Sequence, residues 1–279
     1  MMVLSRFGSA TARSPGLLAG VAVFVLAVSQ ASAESLRASY ALSIIGVPIG
    51  NADAAASIEP GGYKIDIGLR LSGLAALVTK AKGAATANGA IANSAVLPNA
   101  YANTTANANE TRTVRMGLNA GTVRAVDISP PFLDMNERVP VTQAHKTSIL
   151  DPVSALVMSV PAGQPLVGQA ACDRTIPVYD GLVRFNVSLF YKGMRNVHAK
   201  GYAGPVSVCS ARYTPISGYK LDSQSTRYMA ENRDMEVWLA PMAQAHVVVP
   251  YYIKIGTKQG SLVIQAVDFH LGERRAQNN

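Results

Sequence analysis

CDRTIPVYDGLVRFNVSLFYKGMRNVHAKGYAGPVSVC, running from Cys172 to Cys209, holds both cysteines of the chain and its best-patterned strand. Ile176, Val178 and Tyr179 lead into Asp180-Gly181, a dipeptide that accepts the positive φ angles of a tight type I′ turn, so the segment reads as a hairpin. After the turn, Val183, Phe185, Val187, Leu189 and Tyr191 alternate with Arg184, Asn186 and Ser188. That is the period of a strand with one buried and one wetter face. Cys209 lies in the β-branched run VSVCSARY, and a Cys172–Cys209 bridge would staple two strand-associated segments. Such a loop would add roughly 3 to 4 kcal/mol of stability in the chain-entropy account. The competing reading is two free buried thiols.

The compartment favours the bridge. Arg6 and Arg13 precede the apolar run LLAGVAVFVLAV, and Ala31-Ser32-Ala33 follows. Positive, apolar and small-residue parts in that order make a cleavable secretory signal over residues 1–33, with cleavage before Glu34. The apolar run is shorter than the roughly 20 residues that span a bilayer, although an uncleaved anchor helix is the alternative. No later segment is apolar enough for a span, so no transmembrane segment is expected after signal cleavage. No cysteine follows the run, which speaks against a lipid-modified amino terminus. The expected location is periplasmic or secreted.

Removing 33 of the 279 residues leaves 246, enough for a single β-rich domain over residues 34–279 with a substantial core. Hydrophobic residues at 49% and charged residues at 15% describe a folded chain. The net charge of +8 falls to +6 without Arg6 and Arg13. A modestly basic exported protein can rest against anionic head groups or acidic glycans. Its basic residues are scattered singly, so no nucleic-acid partner is expected.

In order along the chain, Leu36, Ala38, Tyr40, Leu42 and Ile44 share one face of a first strand. Ala52, Ala54, Ala56 and Ile58 mark a second, and Tyr63, Ile65, Ile67, Leu69 and Leu71 a third, which together form a meander. From Gly73 to Asn109 the composition turns to Ala, Asn, Thr and Gly. That stretch reads either as a sheet surface left open or covered by something other than its own side chains, or as a loosely ordered strand pair. TRTVRMGLNAGTVRAVDI resumes the β pattern around Asn119-Ala120-Gly121 and brings Arg112 and Arg124 near one another across the hairpin. Residues 129–147 read as a loop. Asp151 then caps a short helix opening at Pro152 and stopping before Pro161, which plugs an open edge or end of the sheet. Strands continue in MEVWLA, in HVVVPYYIKIG, where Pro250 marks an edge or bulge, and in SLVIQAVDF before the polar tail ERRAQNN. The fold class is all-β: a curved antiparallel sheet or partly open β-barrel with one short helix.

DPVSAL (Asp151 to Leu156), the VYDG turn (Val178 to Gly181), YAGPVSVC with the following RYTPISGYK, and EVWLAP with VPYYIKI together resemble the exported proteobacterial proteins grouped as domain of unknown function 3108. The resemblance runs over essentially the whole mature chain. It implies an all-β periplasmic or cell-envelope domain with no established activity. It also argues against a eukaryotic secretory route, the only setting in which the Asn103, Asn109 and Asn186 sequons would matter.

Catalytic machinery is scarce in this sequence. His145, His198, His246 and His270 stand singly, without metal-ligand spacing, and neither a metal nor a cofactor is expected. No G-x-S-x-G elbow, P-loop or dinucleotide fingerprint occurs, and Ser154 in DPVSAL reads as packing of a helix end. Asp66, Asp127, Asp180, Glu236 and Asp268 would act as glycosidase carboxylates only if the fold paired them. No catalytic residue is assigned, and the chain reads as no enzyme. The leading expectation is a concave sheet face holding a lipid or other amphipathic envelope molecule. Arg112, Arg115, Arg124 or Arg184 would supply a basic rim for its head group. A sugar is disfavoured by the low aromatic content, and Trp238 reads as core or as pocket lining. The alternatives are a structural or assembly protein of the envelope that offers a sheet edge to a partner strand, and a glycan-active enzyme.

Overall fold

A computed structural model describes residues 33–59, 61–73 and 81–274 of this chain. Of the leader expected over residues 1–33, all but Ala33, which opens the first strand, lies outside the described residues. Seven strands form the first meander: β1 (Ala33–Ile44), β2 (Val47–Glu59), β3 (Gly62–Leu71), β4 (Lys82–Ala92), β5 (Ala95–Ala106), β6 (Thr111–Asn119) and β7 (Thr122–Ser129). A two-residue strand, β8 (Met158–Ser159), pairs with one end of β13. The second meander comprises β9 (Arg174–Tyr179), β10 (Arg184–Ala199), β11 (Tyr202–Ser217), β12 (Met235–Met242), β13 (Val247–Thr257) and β14 (Gly260–Arg274).

The two meanders join along β1 and β14, giving the order β7-β6-β5-β4-β3-β2-β1-β14-β13-β12-β11-β10-β9, with every neighbouring pair antiparallel. No strand ladder joins β7 to β9, so the curled sheet is a partly open barrel. A crossing segment laces the gap instead. The Ile149 amide donates to the Gly121 carbonyl at the β6–β7 turn, and Leu150 exchanges backbone hydrogen bonds with Pro177 and Tyr179 of β9 at 2.8 and 2.9 Å.

The alternation read in the sequence sets the inner face. Leu36, Ala38, Tyr40 and Leu42 of β1 are buried, as are Ala52, Ala56 and Ile58 of β2 and Tyr63 and Ile65 of β3. This core continues into Tyr251 and Phe269, whose rings lie 5.6 Å apart. A second core surrounds Cys172 and Cys209, which form a disulfide with Cα atoms 5.6 Å apart and no exposure of either residue. The bridge ties the one-turn helix Gln169–Cys172 to the middle of β11. Pro250 sits at a bulge, because Trp238 pairs with Tyr252 while Leu239 pairs with Pro250, leaving Tyr251 as the extra residue.

Several expectations change. Asp151 caps no α-helix. A single 3-10 turn, Ser154–Leu156, follows it, and the chain leaves at once into β8, whose pairing with β13 satisfies the backbone that a longer helix would have used. Two α-helices lie wholly within the described residues, Gln169–Cys172 and Gln224–Glu231, the latter capped by the Ser223 hydroxyl, which accepts the Thr226 amide at 3.1 Å. The β9–β10 connection is wider than a type I′ turn. Gly181 is at φ 101° but Asp180 is not left-handed, and the Asp180 carboxylate accepts the Leu182 and Val183 amides at 2.8 and 2.6 Å. Arg112 and Arg124 do not meet across β6 and β7. The pairs Gly117–Ala125 and Leu118–Val123 make Arg124 a bulge residue, Arg115 faces Asp127, and Arg112 pairs with Glu110 at 2.6 Å. The small-residue stretch forms a fully laddered pair, β4 and β5, and β14 continues through Arg274 into what reads as a polar tail.

Candidate functional site

Inward-facing residues of β9 to β13 leave an apolar cleft of about 310 Å³. Strand alternation delivers Ile176 and Val178 from β9, Phe185, Val187 and Leu189 from β10, and Ala211 and Tyr213 from β11 to the same side. Met235 and Val237 of β12 and Ile253 and Ile255 of β13 complete the floor. Met229, from the helix Gln224–Glu231, and Leu156, from the 3-10 turn, cover it. Although these side chains face inward, Phe185, Val187, Tyr213, Met229, Ile253 and Ile255 are only half-buried. The interior of this half of the barrel is lined but not filled.

A second apolar hollow of about 200 Å³ adjoins the first beneath the other meander. Leu36, Tyr40, Ile65, Ile67 and Leu69 line it together with Val249 and Ile264. The Tyr40 hydroxyl, its most polar group, donates to the Pro250 carbonyl at 2.8 Å, and burial pushes its pKa well above the ordinary phenol range. Burial likewise raises Tyr213. Both phenols are therefore neutral at physiological pH, and the interior offers an apolar ligand no charge of theirs to desolvate.

The turn that covers the cleft is held by a buried polar clamp. Asp151 Oδ1 accepts the amides of Val153 and Ser154 at 3.0 and 2.9 Å, and Oδ2 accepts the Ser154 hydroxyl at 2.5 Å. The Ser154 oxygen lies 2.6 Å from the Tyr63 hydroxyl of β3. With Asp151 ionised, Ser154 donates to the carboxylate and Tyr63 donates to Ser154. Asp151 and Ser154 are fully buried, and burial raises the Asp151 pKa above the ordinary carboxylate range against the lowering effect of its hydrogen bonds. Ser154 has a carboxylate and a phenol as partners, with no imidazole base. The arrangement fixes the loop that carries Leu156.

The residues singled out in the sequence are spread over the barrel. A broad, open hollow of about 770 Å³ lies over β1 to β5 and β14, with Asp66, Asp268 and His270 along it. Its carboxylates are engaged: Asp53 with Ser39 at 2.7 Å, Asp66 with Lys64 at 3.3 Å, and Asp268 with His270 and Lys200 at 2.7 and 3.0 Å. Asp127 pairs with Arg115, Asp180 is enclosed in its own turn, and Glu236 accepts the Trp238 indole N–H at 2.6 Å. Trp238 is half-buried, stacks on Tyr252 at 4.3 Å and packs against the margin of the first core, and it does not line the cleft. His145 accepts the Thr142 amide, His246 lies against the Pro161 carbonyl, and His198 is exposed on β10. Among the described residues no three His, Cys, Asp or Glu side chains are grouped to hold a metal ion. No described helix is long and apolar enough to cross a membrane.

None of Arg112, Arg115, Arg124 and Arg184 lines either apolar hollow, so the rim expected of them is not assembled there; the basic residues on the larger of the two are Arg212 and Lys254. Arg112 lies over the Phe132 ring, and Arg184 donates to the Phe185 carbonyl and the Asn186 side chain. Leu156 was read in the sequence within a short helix, and the strand residues of the cleft only as strand interior. Their one shared signal is period-two apolarity on five successive strands.

A curled antiparallel sheet, partly open and with an unfilled apolar interior, defines the class of this molecule as an all-β, barrel-like domain. Within that class the chain belongs to the DUF3108 family of proteins of unknown function, whose family model matches residues 37–267, from within β1 to within β14. A crystal structure of a beta-barrel-like protein of the domain of unknown function DUF1849, from Brucella abortus, is similar at 10% identity and a TM-score of 0.49. The likeness covers 85% of this chain and 98% of that one. No curated protein matches the chain.

Proposed function

We propose that this protein is an exported cell-envelope protein that holds an apolar or amphipathic ligand, such as a lipid, in the interior cleft without converting it. The observation that carries this reading is the half-exposed state of Phe185, Val187, Tyr213, Met229, Ile253 and Ile255, all inside the barrel and all on the cleft. Apolar surface removed from water contributes about 25 cal/mol per Å², and this surface is not covered by the chain's own side chains. A cleft of 310 Å³ also falls in the range of small-molecule sites, about 300 to 1,000 Å³. The chemistry of the lining agrees with binding alone, since its carboxylate, Glu236, accepts the Trp238 indole N–H, and Ser154 and Asp151 of the covering turn are committed to one another.

Hexadecanoate titrated into the protein is expected to saturate one site, with the negative heat-capacity change of apolar burial. Ala211→Phe, which fills the 310 Å³ cleft from β11, is expected to weaken that binding at least tenfold while leaving a cooperative unfolding transition. Absence of saturable binding, or equal affinity in the filled variant, would overturn the reading.

One observation favours a second reading, an assembly protein that takes a partner strand. Among the described residues β7 has a strand neighbour on one side only, leaving a backbone edge for pairing.

A further inference from the structure

The two apolar hollows are not independent. Leu156, Pro250 and Ile253 line both, so the 310 and 200 Å³ spaces meet at one place and together amount to about 510 Å³. Pro250 and Ile253 belong to β13 and are fixed by its ladders to β12 and β14. Leu156 is different. It is the last residue of a three-residue 3-10 turn, is half-buried, and projects from the loop that Asp151, Ser154 and Tyr63 clamp to β3.

We propose that Leu156 is the constriction of a single two-lobed channel, and that the ligand is a flexible hydrocarbon chain that passes it and occupies both lobes. The proposal rests on the reading of the cleft as a ligand site and adds the class of ligand and the residue that selects it. The volumes separate the ligand classes. The smaller lobe is below the range of ordinary small-molecule pockets and the larger only reaches its lower end, whereas the pair lies well inside it. A rigid fused-ring molecule needs one undivided space, which Leu156 denies. A linear chain bends around a side chain and gains contact in each lobe in turn. The charged residues on the larger lobe have partners of their own, Arg212 on the Ala211 carbonyl, Lys254 on Asp234 and Glu236 on the Trp238 indole, and the rest of both lobes is apolar apart from tyrosine hydroxyls, so the channel takes the hydrocarbon portion and leaves any head group at that charged margin. Leu156 is a positioning and selectivity residue, since it sets how much of the chain is enclosed.

The test compares octanoate, hexadecanoate and cholesterol on the full protein and on two variants. Each buried methylene strengthens binding about fourfold, so hexadecanoate is expected to outbind octanoate by at least about a hundredfold in the unchanged protein, with cholesterol a poor competitor. Leu156→Trp, which closes the constriction, is expected to bring the hexadecanoate-to-octanoate ratio below about tenfold. Leu156→Ala, which cannot block the channel, is expected to keep the chain-length advantage and to admit cholesterol. An unchanged hexadecanoate-to-octanoate ratio in Leu156→Trp would overturn the two-lobed channel while leaving the cleft as a ligand site. Cholesterol binding the unchanged protein as tightly as hexadecanoate would overturn the ligand class. Failure of both acids to bind the unchanged protein would overturn the cleft reading itself.

Discussion

Replacing Cys172 and Cys209 together by alanine is expected to lower the unfolding free energy by about 3 to 4 kcal/mol, read as a fall in the urea midpoint. The bridge closes a 37-residue separation, and in the chain-entropy account a loop of that size restricts the unfolded chain by this amount. The native structure adds a reason for the loss to be visible. Both sulfurs are fully buried in the second core, and the bridge is the covalent link between the helix Gln169–Cys172 and β11, on which Ala211 and Tyr213 line the cleft. The double variant is therefore expected to bind hexadecanoate more weakly as well. A midpoint unchanged within error would show that packing alone sets the second core.

Asp151→Ala is expected to cost at least about 3 kcal/mol. Three buried donors, the Val153 amide, the Ser154 amide and the Ser154 hydroxyl, lose their acceptor at once, and each unsatisfied buried group costs about 1 to 3 kcal/mol. Asp151→Asn keeps one acceptor oxygen and is expected to cost less. The two chains should also differ in their response to pH. Burial raises the folded pKa of Asp151 above its unfolded value, so its favourable contribution is complete below the unfolded pKa and is lost as pH rises through the folded one. The asparagine variant has no such ionisation. Its deficit relative to the unchanged protein is therefore expected to shrink from acid toward neutral pH, as measured by chemical unfolding of both chains across that range. Asp134, Asp173 and Asp234, whose pKa values are lowered by hydrogen bonding, titrate alike in both chains and cancel in the difference. A deficit that grew with pH would contradict the assignment of a raised pKa to Asp151.

Much of this architecture is legible in the sequence because strand periodicity is local. The alternation from Leu36 to Leu42, the run from Phe185 to Tyr191 and the bulge beside Pro250 each follow from residues within one strand, and all three stand in the structure. The disulfide was legible as a pairing of the only two cysteines. Helix signals were less dependable. Asp151 and Pro152 are a good start for a helix, but the same cap serves a single 3-10 turn, and the pairing of β8 with β13 decides between them. The helix Gln224–Glu231 was missed because DSQSTRYMAEN has no apolar stripe. Its available signal was Ser223, three residues before the amide it caps.

The cleft was the least legible feature. Val178, Val187, Ala211, Val237 and Ile253 read as ordinary strand interior, and only the curl that brings their five strands around one space leaves that interior unfilled. The rim expected of Arg112, Arg115, Arg124 and Arg184 failed for a related reason, and Arg212 and Lys254 lie on the cleft instead. Arg112, Arg115 and Arg184 find acidic or backbone partners of their own, and sequence position does not show which face or which partner a lone arginine takes.

Native mass spectrometry of the protein exported by a bacterial host and purified without detergent tests the central claim most directly. The account predicts a polypeptide beginning at Glu34 that carries a reproducible excess mass, lost on denaturation and matching a molecule with a long hydrocarbon chain. A bare polypeptide mass, unchanged after incubation with envelope lipids, would contradict it.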